Sequence, residues 1–203
     1  ITQSIAMREN KLIVPYDFRG IVTLGELQDL TLDVNEDKSI LPAKVLDYFR
    51  EGYEKFSDVM DICIACATRL RGNLSCFNIN RIIKSWYNPI SEDSIEGVDY
   101  ITTTVSTNYH YTISAGDKVL MTKNNYSAEV WDEVTEEFVE GAVFNGNLGV
   151  VTEIGLGYVE INFSSIGRVR IKENKYNTLE LGYAVTTHKL QGDQSKRVIV
   201  AMD

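Results

Sequence analysis

The chain has 203 residues, 44% of them apolar and 24% charged, which suits one globular domain or a domain carrying a smaller insertion. No apolar run reaches the roughly 18 residues that a membrane helix needs, and no signal-peptide pattern opens the chain, so a membrane partner is not expected. The net charge of −9 weighs against nucleic acid only as a whole-surface average, and three cysteines, an odd number, fit a reducing cytoplasm rather than a disulfide framework.

The first twenty residues predict a short strand end followed by a helix, and 21–37 read as mostly loop with one short strand at most. Ser39 is placed to cap a helix that carries Pro42 in its first turn, with Val45, Leu46, Phe49, Tyr53 and Phe56 as its buried stripe. The run VMDICIACA, 59–67, is nearly all apolar and has the character of a parallel-sheet strand buried on both faces. Ser75 predicts the next cap, and Ile79, Ile82, Ile83 and Trp86 the apolar face of a helix ended by Asn88-Pro89. Residues 102–171 read as short strands between turn signals, with Gly155-Leu156-Gly157 as a tight hairpin and Asn145-Gly146 as a turn of positive φ. From Leu179, LELGYAV predicts one strand, TTHKLQG a turn into a helix, and RVIVAM a final strand. The expected fold class is α/β, a parallel-sheet domain interrupted by a small β-barrel, with 101–171 as the insertion and 1–100 and 172–203 as the host.

Charge is unevenly spread. Ten acids against four bases fall between Glu26 and Asp61, whereas seven bases against three acids fall between Arg168 and Arg197, so a local positive field is available in an acidic chain. Within the basic region lies the most specific string, LELGYAVTTHKLQG, 179–192. It resembles motif V of RecD-like and Dda-like superfamily 1 DNA helicases, in which a strand runs into T-x-H-K-x-Q-G. The resemblance implies single-stranded DNA contacts by Thr186, His188, Lys189 and Gln191, with Gly192 on the nucleotide side. A strand leading into a helix N-terminus suits a phosphate on general grounds.

Further segments extend the resemblance over nearly the whole chain. GDKVLMTKNNY, 116–126, and VFNGNLGVVTEI, 143–154, are similar to an SH3-like barrel inserted in the second core domain of that family. They imply DNA contacts by Lys123 and Asn125, with Asn124 and Tyr126 beside them, and Gly149 as a point of close backbone approach. ATRLRGNLSCFNIN, 67–80, is a weaker match that places Thr68, Arg69 and Asn80 near a backbone phosphate. SIAMREN resembles motif IV, and there Arg8 is the expected catalytic arginine reaching the γ-phosphate of ATP. The position two residues after the motif V glycine, often glutamate in the family, is Gln194 here.

Other features carry no chemistry. Cys63 and Cys66 have CxxC spacing, but on a buried strand they do not converge on a metal, and no metal site is expected. The WDEV string, 131–134, lacks the apolar strand that precedes a Walker B box, and His110 stands apart from any nucleophile pattern. No GxxxxGK[ST] occurs, so ATP and Mg2+ are expected mainly on a first RecA-like domain that this sequence does not contain. The resemblance therefore implies a RecA-like segment of an ATP-dependent 5′–3′ DNA helicase (RecD-like, exodeoxyribonuclease V alpha-type), inactive alone. Its expected partners are single-stranded DNA, the N-terminal RecA-like domain and a nuclease complex. The alternative is a stand-alone, non-catalytic module that binds single-stranded nucleic acid.

Overall fold

The computed structural model describes residues 17–24, 30–190 and 195–202. The expected N-terminal helix, Arg8, Gln191, Gly192 and Gln194 lie outside these residues. The chain divides into two compact units at Leu41.

In the first unit, β1 (Gly20–Leu24) pairs antiparallel with β2 (Leu30–Val34), Val22 facing Leu32. Two strands thus stand where the sequence pattern suggested mostly loop; each is only five residues long, too short for acidic flanks to leave a visible alternation. The Ser39 hydroxyl and backbone N–H both donate to Asp37 Oδ1, at 2.6 and 2.9 Å.

In the second unit, α1 (Leu41–Phe56) carries Pro42 in its first turn, as expected, and buries Val45, Phe49 and Gly52. Leu46, Tyr53 and Phe56, the rest of the predicted stripe, are half-buried. Phe49 meets Trp86, Tyr87 and Tyr183 edge-on, with ring centroids 6.0–6.4 Å apart. β3 (Ile62–Cys66) follows, with all five residues buried. It is the middle strand of a parallel sheet, flanked by β13 (Ala184–Thr186) and β14 (Arg197–Ala201). α2 (Cys76–Tyr87) begins at Ser75, whose Oγ accepts from Asn78 N at 3.3 Å, and it buries Ile79 and Ile83. This unit is therefore mixed α/β and contains a three-stranded parallel sheet.

The strand-rich region is antiparallel throughout. β4 (Tyr100–Ser106) and β5 (Tyr109–Ser114) form a separate hairpin. The larger sheet has seven strands: β6 (Lys118–Met121), β7 (Asn125–Asp132), β8 (Glu137–Val143), β9 (Leu148–Gly155), β10 (Tyr158–Phe163), β11 (Gly167–Lys172) and β12 (Leu179–Leu181). Their order is β12-β6-β9-β10-β11-β7-β8. Gly146 takes φ +97° in the Asn145-Gly146 turn, and a Cβ on Gly149 would stand 2.6 Å from the Asn162 carbonyl oxygen. Both glycines thus do what the sequence required of them.

The segment predicted as one strand, 179–185, is two strands in two sheets. β12 pairs antiparallel with β6, and β13 pairs parallel with β3. The break is held from far along the chain. Gly182 N donates to Lys118 O at 2.8 Å, while the Asn80 amide donates to Leu181 O and Ala184 O and accepts from Ala184 N at 2.7 Å.

Candidate nucleic-acid interface

The carboxyl ends of β3 and β13 lie side by side, Cys66 opposite Thr186. Ligands of parallel sheets collect at that end, because the loops leaving the strands converge there. β3 leaves into the 67–75 loop and β13 into the 3-10 turn Thr187–Leu190.

The first loop is closed on itself. Cys76 N donates to Thr68 O and Phe77 N to Arg69 O, each at 2.9 Å, and the Thr68 hydroxyl donates to Arg71 O at 2.7 Å. The leading amides of α2 therefore already have acceptors, and the helix end offers little to a phosphate. This removes the backbone reason for a contact at Thr68. The Arg69 side chain is half exposed, and its guanidinium donates to the largely buried Glu180 carboxylate. That hydrogen bond raises the Arg69 pKa above its ordinary value.

The second loop carries the motif V string. Thr186 is half-buried, whereas Thr187 and His188 are exposed. The expected helix is, over the described residues, a single 3-10 turn. What fixes the turn is apolar: Leu190 and Leu148 pack against the buried cluster of Cys63, Leu120 and Val185. Packing thereby ties the turn to the antiparallel sheet as well as to β3. Lys189 is half-buried, and its Nζ donates to Asn145 Oδ1 at 3.1 Å. Burial draws the Lys189 pKa down, the Glu180 carboxylate offsets part of that, and the Arg69 charge adds to it. Lys189, Arg69 and Glu180 therefore feel one another as a single electrostatic cluster.

From Lys189 the network crosses into the β-region. Asn145 N donates to Asn124 Oδ1 at 2.8 Å, and Asn124 Nδ2 donates to the Tyr126 hydroxyl at 2.9 Å. Tyr126 then stands edge-on to Phe144, ring centroids 6.2 Å apart, and the two are 67% and 49% exposed. Lys123 is exposed beside them. An ammonium group, amide donors and two solvent-facing rings are thus held on one surface. These are the elements that bind a single strand: charge for phosphates and ring faces for unpaired bases.

Two of the expected contact residues are elsewhere. Asn80 is 1% exposed with its amide spent on Leu181 and Ala184, and Asn125 is 3% exposed with its Oδ1 accepting from Ser127 N and Oγ. Both are structural, because a polymer does not reach a buried, satisfied amide. Phe144, Asn145 and Glu180 belong to the surface and its support, and their sequence pattern did not mark them. An aromatic next to an Asn-Gly turn was the available signal for Phe144. Cys66 shares a thiol–thiol hydrogen bond with Cys76 at the start of α2; that contact pushes Cys66 up and draws Cys76 down. Arg8 and Gly192, expected on the nucleotide side, are outside the described residues.

No family model and no curated protein matches the chain. Among solved structures it is similar to unliganded Pif1 from Bacteroides sp, at 17% identity and TM-score 0.35, covering 71% of this chain and 47% of that one. It is also similar to Bacteroides Pif1 bound to ssDNA, at 17% identity and TM-score 0.39, covering 78% of this chain and 38% of that one. A third likeness is to Pif1 helicase from Bacteroides in complex with ADP-AlF3 and ssDNA, at 14% identity and TM-score 0.39, covering 84% and 45%. The chain spans less than half the length of each of these structures. Likenesses this distant carry no inference about what the chain does.

Proposed function

We propose that the chain is a second RecA-like core segment of an ATP-dependent, RecD-like 5′–3′ DNA helicase, and that its own part is to hold single-stranded DNA. Residues 1–100 and 172–203 form the core segment, and 101–171 form an inserted SH3-like barrel. Thr186, His188, Lys189 and Gln191 meet the phosphate backbone, with Arg69 and Lys123 adding charge and Tyr126 and Phe144 stacking on bases. Arg8 and Gly192 face the nucleotide cleft. The glycine-lysine phosphate cradle is supplied from outside this sequence, which contains no GxxxxGK[ST]. In the assembled enzyme, cleft closure moves this DNA grip relative to that of the other core domain, and alternation of the two grips gives stepping.

One observation carries the proposal. The string that resembles motif V and the string that resembles the barrel, read separately in sequence, meet through Lys189 and Asn145 and continue to two exposed rings. Photo-crosslinking with an oligothymidylate bearing 4-thiothymidine tests it. Crosslinked peptides are expected from 123–126, 143–145 and 186–190; crosslinks confined to the acidic stretch 127–140 or to α1 would refute the assignment.

A further inference from the structure

A cavity of about 420 Å3 opens between α2 and the β4–β5 hairpin. It shares no residue with the Lys189–Tyr126 surface. Its volume falls in the range of small-molecule sites, roughly 300–1,000 Å3. The donors that line it have not been assigned a task. Arg81 is exposed, lies 5.6 Å over the Phe77 ring, and makes no ion pair with a described residue. His110 has its Nδ1 within 3.2 Å of Thr104 Oγ1, which leaves the opposite ring nitrogen for a ligand. Asn108 adds an exposed amide from the hairpin turn.

The remaining wall combines the edges of two largely buried rings, Phe77 and Tyr111, with Ser85, Thr112 and Leu181. Phe77 lies edge-on to Tyr109 at 4.8 Å and tilted on Tyr111 at 5.0 Å, and Phe77 and Tyr111 both reach the cavity. Lys84 also lines it, but its charge is spent on Asp117. No described carboxylate lines the cavity, although the chain has 29 Asp and Glu. A guanidinium, an imidazole and an amide beside ring walls, without a competing acid, select an anion carried on a flat body. A bare phosphate leaves most of such a volume empty.

We propose that this cavity is a second binding site, separate from the DNA surface, for a small phosphorylated ligand with a planar ring, held by Arg81, His110 and Asn108. It does not depend on the helicase assignment. The test is an NMR titration of the full chain with phenyl phosphate, inorganic phosphate and phenol, repeated on Arg81→Gln and His110→Ala. Saturating shifts at 77–85 and 108–112 with phenyl phosphate are expected, weaker binding of inorganic phosphate, and none of phenol. Each variant should weaken phenyl phosphate roughly tenfold, as the loss of one hydrogen bond to a charged group does. Undiminished binding by Arg81→Gln, or shifts scattered over surface lysines, would overturn the site. Bound phenyl phosphate that resists displacement by oligothymidylate supports a separate site; displacement would assign the cavity to the strand and overturn it.

Discussion

Tyr126, near the start of β7, and Phe144, just after β8, present large apolar faces to water, 67% and 49% exposed. The Tyr126 hydroxyl is tied to Asn124, which holds the ring in place rather than leaving it to rotate. A fixed, uncovered ring is a platform for a base, worth roughly 1–3 kcal/mol per base in single-strand binding. Tyr126→Ala and Phe144→Ala are each expected to weaken oligothymidylate binding by roughly tenfold, within that range. Neither removes a phosphate contact, so the slope of log affinity against log salt should stay unchanged, whereas Lys189→Ala should reduce it by about 0.7. Fluorescence anisotropy over a salt series separates the two effects. At this scale the sequence was legible only in part. His188 and Lys189 stood out because their string is specific, but Asn80 and Asn125 look alike on the page whether exposed or buried. What separates them is the partner: Asn80 is spent on carbonyls about a hundred positions away.

Between elements, one polar link is the fully buried carboxylate of Asp117, just before β6. It accepts from Lys84 Nζ at 2.5 Å, Ser114 N at 2.8 Å, Asn88 Nδ2 at 2.9 Å and the Tyr183 hydroxyl at 2.7 Å. One side chain thus joins α2, the β5–β6 turn and the residue that precedes β13. Burial draws the Lys84 pKa down, and Asp117 offsets part of that. Asp117→Ala leaves a buried ammonium without its counter-charge and should cost roughly 3–5 kcal/mol, read from urea unfolding. An unchanged urea midpoint would show that the link is dispensable.

On the larger sheet, Glu160 sits between Arg168 at 2.9 Å and Arg170 at 3.1 Å, and those guanidinium groups stack on Trp131 and Phe138. Burial raises the Glu160 pKa, but the hydrogen bonds and charges of the two arginines outweigh it and hold the carboxyl below its ordinary 4.5. A depressed carboxyl pKa stabilises the fold above the unfolded value, and that contribution is lost as pH falls through the folded one. Stability should therefore decline as pH drops below about 4.5, and Glu160→Gln should flatten that decline while lowering stability at neutral pH by roughly 1–3 kcal/mol. Elements built by local pattern, such as β3 and α2, were legible in the sequence. The division of 179–186 between two sheets was not, because Gly182 and Asn80 impose it from contacts distant in the chain.

Over the whole chain, the charge of −9 and a surface for an anionic polymer are compatible because many of the acids crowd segments such as 127–140, which hold none of the candidate cations. The six acids of 127–140 fall on β7, β8 and their connecting turn, while Lys189 lies in the 3-10 turn after β13, Arg69 in the loop after β3 and Lys123 in the link between β6 and β7. The mixed α/β character was legible because a wholly apolar run of β-branched residues and cysteine has few other uses than a buried parallel strand. How the β-rich region closes was not, since strand order is set by pairings between distant segments, such as β12 with β6. The central claim is that the turn after β13 holds single-stranded DNA by charge. The most direct measurement is fluorescence anisotropy of the chain with a labelled oligothymidylate at low and moderate salt, beside a His188→Ala, Lys189→Ala double variant. Binding that weakens with salt and is lost in the double variant is the predicted result; binding of equal strength in the variant, or binding indifferent to salt, would contradict it.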